Sequence, residues 1–254
     1  FNAPAQNFVF ADTSGTIAYK SNGNVPIRKK GNAELPVPGN SSEFGWIGYI
    51  PYDELPRVVN PEVGYVATAN NEVIDEDYPY HISNIWAQPY RYERIVELLE
   101  SKEKLTVQDM KDIQMDAKNL YAMEFLPNLL KTLSASELAN EHEDALKILE
   151  KWDYFDTVEQ SAPLIFHRLM ANLQESLFIN EMPEDLYKLM PGKAQILDEM
   201  LREAYAGETV LWIEKRGGLE KFVSTAFEKA MNDLSDEYGS NANKWKWGDY
   251  HQLT

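Results

Sequence analysis

Residues 1–85 combine short apolar runs with the turn-forming residues that usually separate strands. The run Phe8–Ala11 precedes Asp12-Thr13-Ser14-Gly15, and a second run, Thr16–Tyr19, follows directly. The side chains of Asp12 and Ser14 can bond nearby backbone groups, and Gly15 accommodates a positive φ. The pattern therefore predicts a β-hairpin formed by these two runs.

Two further apolar runs, Phe44–Ile50 and Val63–Ala69, are predicted to be strands. The second run follows Asn60-Pro61, a dipeptide that commonly starts a turn. The segment Leu35–Gly39 contains two prolines, which cannot donate hydrogen bonds to a sheet. We therefore expect that segment to be a loop or an edge.

From about Pro89 onward, apolar residues recur at the three- and four-residue spacing of helices. Thr106 followed by Asp109 is typical of a helix N-terminus. Helices are predicted over 91–102, 117–133, 134–150, 158–178, 193–206 and 219–236. Because strands come first and helices follow, the sequence predicts an α+β fold rather than alternating βαβ units. The two predicted regions are a β-rich part, 1–88, and a helical part, 89–254.

The composition narrows the class of protein. With 24 Lys and Arg against 41 Asp and Glu, the net charge of the 254 residues is −17. Nucleic acids and anionic membranes both need a basic face, so neither is an expected partner. No apolar run approaches the roughly 18 residues of a membrane-spanning helix. There is no cysteine, which excludes disulfides, thiolate metal sites and a cysteine nucleophile.

Generic catalytic motifs are absent from the sequence, including G-x-S-x-G, the Walker loop, G-x-G-x-x-G and H-E-x-x-H. The acidic stretch Glu141–Asp144, which contains His142, is interpreted as a solvated face, and no metal site is predicted there. Asp75–Asp77 offers oxygen ligands that suit a hard cation, although a charged surface loop is the simpler interpretation. Asn70-Asn71 follows a predicted strand, where a rigidly held amide can donate to an oxyanion, but the same pair also favours a simple turn.

Many short segments of this sequence match a known protein family, and they occur in the same order as in that family. They are Gln6–Asp12, Gly15, Ile17, Val25–Arg28, Leu35–Gly39, Trp46–Pro51, Leu55-Pro56, Asn60-Pro61, Gly64-Tyr65, Ala69–Asn71, Tyr78-Pro79, Tyr90-Arg91 and Arg94-Ile95, followed by Trp152-Asp153, Ser161-Ala162, Ile165-Phe166 and Trp245–Gly248. In this order they resemble the penicillin acylase family of N-terminal-nucleophile amidohydrolases. That family includes penicillin G acylases and acyl-homoserine-lactone acylases.

The resemblance implies an α+β fold, in which part of an N-terminal-nucleophile hydrolase sheet precedes a mostly helical insert. In the family, a precursor cleaves itself into α and β subunits and exposes a serine at the β N-terminus. This serine attacks a linear amide with its own amine as base, and an acyl-enzyme forms and is hydrolysed. Gly-Ser-Asn occurs in this sequence at residues 239–241, after the predicted helices, and not ahead of the first strand, where the resemblance would place the processing motif. The resemblance therefore implies an internal piece of a β subunit, inactive by itself.

Three site residues follow from the resemblance. Asn70 matches the asparagine whose side-chain amide donates to the oxyanion, and Arg91 matches an arginine of the active-site network. Gln6 lies near a position that lines the acyl pocket, where relatives that accept aromatic acyl groups have an apolar residue. No cofactor is required for the chemistry, and a structural calcium is possible in the parent enzyme.

The resemblance also implies partners and location. The expected partners are the remaining α and β segments and a small N-acyl substrate, such as a penicillin or an acyl-homoserine lactone. The family is bacterial and exported, either periplasmic or extracellular. The alternative is a non-catalytic binding or structural domain that has kept this scaffold. The encoded sequence upstream of Phe1 distinguishes the two, because the enzyme requires a processing site there.

Overall fold

The structure is a computed structural model that describes residues 2–179 and 181–252. The chain divides into two compact units, residues 1–113 and residues 114–254. The first helix after the strands begins at Tyr90, so the helical character starts before the boundary between the compact units. The domain ranges 1–88 and 89–254 stay a prediction. The predicted α+β class is confirmed, because small sheets are followed by a long series of helices.

The first unit contains two small antiparallel sheets. Its elements are strands β1 (Gln6–Ala11), β2 (Ile17–Asn22), β3 (Pro26–Arg28), β4 (Trp46–Tyr49) and β5 (Arg57–Val59), a 3₁₀ turn (Tyr52–Glu54), and helices α1 (Tyr90–Glu100) and α2 (Val107–Gln114), the last of which crosses the boundary between the units. One sheet has the order β1-β2-β5, and the other pairs β3 with β4. The small core of this unit consists of Val25, Ile50 and Leu55, with Ile27, Tyr80 and Ile82 packed against them.

The predicted hairpin is confirmed. Strands β1 and β2 pair in antiparallel register, with Phe8 opposite Lys20. In the turn, Asp12 Oδ1 accepts hydrogen bonds from Ser14 N at 2.8 Å and Thr16 N at 3.0 Å, and Gly15 has a φ of +90°. Hydrogen bonding, above all from the Ser14 side chain, lowers the pKa of the Asp12 carboxyl. The local turn chemistry therefore sets the register of the hairpin.

The predicted strand over Val63–Ala69 is wrong, because this stretch forms no ladder in the described part of the chain. Side chains bond its last residues instead: Arg91 donates to the Ala69 carbonyl, and Asn71 Oδ1 accepts from Ala69 N at 3.0 Å. The run therefore ends in a side-chain-anchored loop. The prediction for Phe44–Ile50 is confirmed by β4, and Leu35–Gly39 lies outside the strands, as predicted.

The second unit is helical and has an extensive core. It contains α3 (Leu120–Ser134), a 3₁₀ turn (Glu137–Ala139), α4 (Glu143–Glu150), α5 (Ala162–Phe178), α6 (Glu184–Leu189), α7 (Lys193–Tyr205), α8 (Leu211–Glu214), α9 (Leu219–Tyr238), a second 3₁₀ turn (Ala242–Lys244) and α10 (Trp247–Tyr250). Helix α5 packs against α9, and both bury apolar faces. Leu169, Leu173 and Leu177 of α5 are fully buried at helical spacing.

Most helix predictions are confirmed, but the predicted helix over 134–150 is divided. Helix α3 ends at Ser134, and α4 begins only at Glu143. Between them, Ser136 Oγ donates to the Leu133 carbonyl at 2.7 Å. A serine hydroxyl that bonds a terminal carbonyl competes with continued helix. The helix N-terminus predicted at Thr106 is also confirmed, because Thr106 Oγ1 accepts from Asp109 N while Asp109 Oδ2 accepts from Thr106 N.

Candidate active site

A cavity of about 500 Å³ in the first unit brings the three predicted site residues together. Gln6 lies at the start of β1, Asn70 lies in the loop after residue 63, and Arg91 is the second residue of α1. The remaining lining combines small and apolar side chains with a few polar ones, namely Ala5, Val25, Ala69, Val73, Ile82, Trp86 and Ile95, and Asn7, Ser21 and Thr68. A cavity that combines apolar surface with convergent polar groups is typical of a small-molecule site.

Asn70 adopts a left-handed backbone conformation, with a φ of +63°. Asparagine tolerates this conformation better than other non-glycine residues. The Asn70 carbonyl accepts a hydrogen bond from Ala87 N at 2.9 Å. The strained turn is thus fixed on one side by backbone, and the Asn70 side chain is left exposed at the cavity.

Arg91 holds the same loop from the other side. Its Nη2 donates to the Ala69 carbonyl at 2.8 Å and to Asn70 Oδ1 at 3.0 Å. The first turn of a helix is an unfavourable place for a cation, because the helix dipole is positive there. Two specific hydrogen bonds to one loop offset this disadvantage.

The contact with Arg91 also fixes which way the Asn70 amide faces. A guanidinium group can only donate, so the Asn70 atom that faces it must be the oxygen. The amide nitrogen therefore points away from Arg91, and no acceptor among the described residues bonds it. The site presents a neutral N–H donor on an anchored loop, which is the arrangement that stabilises a developing oxyanion.

Sequence reasoning missed three polar residues of the cavity, Asn7, Ser21 and Thr68. Asn7 and Thr68 both line it, and Asn7 Nδ2 donates to Thr68 Oγ1 at 3.4 Å. Thr68 lies only two residues before Asn70, which was the available signal. The contact itself joins residues 61 positions apart, so no local pattern could reveal it.

The acidic run Asp75–Asp77 is an exposed turn. Asp75 Oδ1 accepts from Asp77 N at 3.1 Å, so one of its oxygens serves the turn itself. Within residues 2–179 and 181–252, no group of three or more histidine, aspartate or glutamate side chains is arranged to hold a metal ion. Calcium in the parent enzyme stays a prediction.

A larger cavity, about 670 Å³, lies in the second unit beside His142 and is lined by none of the three predicted residues. The His142 ring packs edge-on against Phe227, with 5.6 Å between ring centroids. The stretch Glu141–Asp144 precedes and begins α4, and Asp144 and both glutamates are exposed, as the interpretation as a solvated face requires. Size alone does not identify this cavity as the site, because it lacks the anchored donor.

Comparison with known proteins identifies the family. A family model described as penicillin amidase matches residues 1–254. The chain belongs to this family. Relatives of this chain include a penicillin G acylase from Escherichia coli and acyl-homoserine lactone acylases from Pseudomonas species. No helix in the described ranges is long and apolar enough to cross a bilayer.

Individual penicillin amidase relatives are longer than this chain. Penicillin acylase 2 proenzyme of Pseudomonas sp. strain SE83 is 40% identical over 110 residues, which cover 43% of this chain and 14% of the relative. Acyl-homoserine lactone acylase QuiP of Pseudomonas aeruginosa is 25% identical over 265 residues, which cover 96% of this chain and 31% of the relative. The chain thus spans about a third or less of these relatives.

A solved structure supports the fold. The chain is similar to a thermostable penicillin G acylase from Alcaligenes faecalis, with a TM-score of 0.71 and 21% identity. The match covers 96% of this chain and 49% of that one. At this identity the likeness shows the fold alone.

Proposed function

We propose that this chain is an internal part of the β subunit of a linear-amide hydrolase that acts on N-acyl compounds, R–CO–NH–R′. The substrates are penicillins, acyl-homoserine lactones or related N-acyl amines. Membership of the penicillin amidase family supports the reaction class, and the greater length of the relatives supports further α and β segments as partners. The proposal includes export from a bacterial cell.

The observation that carries the proposal is the Arg91–Asn70 contact in the cavity. Arg91 Nη2 bonds Asn70 Oδ1 and the preceding carbonyl, and it thereby directs the free amide nitrogen of Asn70 away from itself. When a nucleophile attacks the substrate carbonyl, negative charge develops on the oxygen. A donor already in position stabilises that charge without reorganising during the reaction.

In the proposed reaction, another segment supplies the nucleophile and this chain supplies the oxyanion donor. A serine supplied by another segment, with its own α-amino group as base, forms a bond from its oxygen to the acyl carbon. The C–N bond breaks, and the amine leaves with the proton that the base had taken. Water then hydrolyses the ester, which releases the carboxylic acid and regenerates the serine. Asn70 donates to the oxyanion in both steps, and Arg91 keeps the amide oriented.

The lining suggests where the acyl group is bound. Val25, Ile82 and Trp86 provide apolar surface within the cavity, and Gln6 adds a polar group at the start of β1. The free energy falls when an apolar acyl chain leaves water and contacts such a surface. Gln6 is therefore proposed to contribute to the choice of acyl group, together with residues of other segments.

The test uses the full-length protein that contains this chain. Self-cleavage is first established by mass spectrometry, and turnover is then measured with a chromogenic phenylacetyl amide, penicillin G and a long-chain acyl-homoserine lactone. The proposal predicts turnover of at least one of them and a serine ester as an intermediate. This chain by itself should turn over none. A protein that binds these compounds without cleaving them would instead support a non-catalytic domain on the same scaffold.

A further inference from the structure

Three side chains form a hydrogen-bonded line from the hairpin to the Asn70 loop. The Tyr19 hydroxyl donates to Asn7 Oδ1 at 2.7 Å, and Asn7 Nδ2 donates to Thr68 Oγ1 at 3.4 Å. Tyr19 lies on β2 and Asn7 on the paired strand β1, where Val9 is the residue opposite Tyr19. Thr68 precedes Asn70 by two residues and lines the same cavity.

Tyr19 is the donor at one end of this line. The Tyr19 side chain is buried, with 8% of its surface exposed, and burial is the main reason why the pKa of its hydroxyl is raised. A tyrosine hydroxyl is protonated at neutral pH with or without this shift, and here it donates to Asn7 Oδ1. Because it donates to Asn7 Oδ1, the nitrogen of the same amide is turned toward Thr68.

Three further hydrogen bonds hold the backbone at Asn70 and at the residue before it. The Ala69 carbonyl is bonded by Arg91 and the Ala69 N–H by Asn71, and the Asn70 carbonyl is bonded by Ala87 N. All these anchors lie at or after residue 69. The Asn7–Thr68 bond ties residue 68, on the entering side of the loop, to strand β1.

We propose that Tyr19 and Asn7 are positioning residues for the Asn70 amide, which they act on through Thr68. This inference rests on the proposed function, since it specifies what holds the oxyanion donor of that site. The bond to Thr68 fixes the chain two residues before the left-handed turn at Asn70. The 3.4 Å bond is long, so the expected effect is moderate.

The test compares variants of the full-length processed protein in which a single group of the Thr68 side chain is changed. Thr68→Val removes the acceptor and keeps the shape of the side chain, whereas Thr68→Ser keeps the acceptor. We expect Thr68→Val to lower kcat about three- to tenfold with KM changed less than twofold, because a misplaced donor weakens transition-state stabilisation. Thr68→Ser should recover most of the lost kcat.

Tyr19→Phe provides the matched test at the other end of the line. It removes only the hydroxyl, so the ring still fills its place and the Asn7 amide is free to turn. We expect kcat to fall about two- to fivefold, because the chain of contacts is interrupted. In the Thr68→Val background, Tyr19→Phe should lower kcat no further, since the line is already broken.

A second measurement makes the result independent of turnover. The side-chain amide resonance of Asn70, in protein labelled with ¹⁵N-asparagine and assigned with Asn70→Gly, should shift in Thr68→Val and Tyr19→Phe and return in Thr68→Ser. Additive kcat losses in the double variant, or an unmoved Asn70 resonance, would overturn the inference. If the protein hydrolyses no amide, the proposed function fails, and the resonance alone decides whether Tyr19 and Asn7 position Asn70.

Discussion

Replacement of Asn70 separates a catalytic amide from a residue that merely holds a turn. Asn70→Ala removes the proposed donor, but it also places an alanine at a φ of +63°, a backbone conformation that alanine adopts less readily than asparagine. Asn70→Gly removes the same amide at a position where glycine adopts this conformation without strain. The two variants therefore share the loss of the donor and differ in backbone cost.

The expected magnitudes follow from the contacts. Both variants lose the hydrogen bond from Arg91 to Asn70 Oδ1, which is exposed and should contribute about 0.5–1.5 kcal/mol to the free energy of unfolding. Asn70→Ala adds a left-handed alanine, at roughly 1–2 kcal/mol. In catalysis, loss of one oxyanion donor costs about 3–4 kcal/mol, so kcat should fall about a hundred- to a thousandfold in both variants.

The assay is steady-state turnover of a phenylacetyl amide by the full-length protein, with the active serines titrated so that kcat refers to folded, processed enzyme. KM should change much less than kcat, because the hydrogen bond strengthens only as charge develops on the oxygen. Self-cleavage passes through a similar oxyanion, so subunits produced separately and combined serve as the control. If Asn70→Gly keeps a kcat near that of the unaltered enzyme, Asn70 is not the donor, and a loss confined to Asn70→Ala would show that only backbone strain was measured.

Three further predictions concern stability and protection. Leu173→Ala in the fully buried face of α5 should lower the free energy of unfolding of the second unit by about 2–5 kcal/mol in denaturant titration, and a loss below 1 kcal/mol would contradict the packing described. The hydrogen bond from the Tyr65 hydroxyl to Glu100 raises the pKa of Tyr65 to about 12, so its stabilising contribution is complete below pH ~10, the unfolded value, and is lost as the pH rises toward 12. The melting temperatures of the protein and of Tyr65→Phe should therefore converge over that range, and a constant difference would refute the assignment. Hydrogen exchange of this chain should be slow at α5 and α9 and fast along β1, and uniformly slow exchange would show that β1 is protected by pairing or association.

The features that the sequence predicted correctly are the local ones. In the hairpin, every interaction that fixes the turn lies between Asp12 and Thr16. In the same way, the start of α2 depends on Thr106 and Asp109, three residues apart. Such short-range interactions can be predicted from the sequence because the partner residues are only a few positions apart in the chain.

The features that the sequence did not predict depend on distant partners. Strand β5 has only three residues and forms by pairing with β2, about forty positions earlier, so no alternation marks it. The run Val63–Ala69 has the composition of a strand, but side chains from α1 and from Asn71 bond its end instead of a neighbouring strand. Composition indicates which secondary structure a segment can form, but whether a strand forms depends on a neighbouring strand with which it can pair.

The candidate site shows the same division. Asn70 and Arg91 were predicted from a resemblance, and no physical rule applied to one sequence would have joined them. Their contact spans 21 positions and requires a left-handed turn together with a helix start. Asn7 and Tyr19, which reach the same loop from the hairpin, were missed because their hydrogen bonds become visible only once β1 and β2 are paired.

The distribution of buried surface determines where the chemistry must be measured. The second unit buries fully packed helix faces, whereas all six residues of β1 are exposed, including Phe8, Val9 and Phe10. All three candidate site residues belong to the first unit, whose core is small. Exposure of apolar side chains on both faces of an edge strand is unfavourable in water, and covering them lowers the free energy. We therefore expect the position of the proposed Asn70 donor to depend on the hydrogen bonds of its loop and on whether β1 is covered in the complete protein. Asn70 must for that reason be tested in the complete protein, because an inactive chain 1–254 would reveal nothing about it.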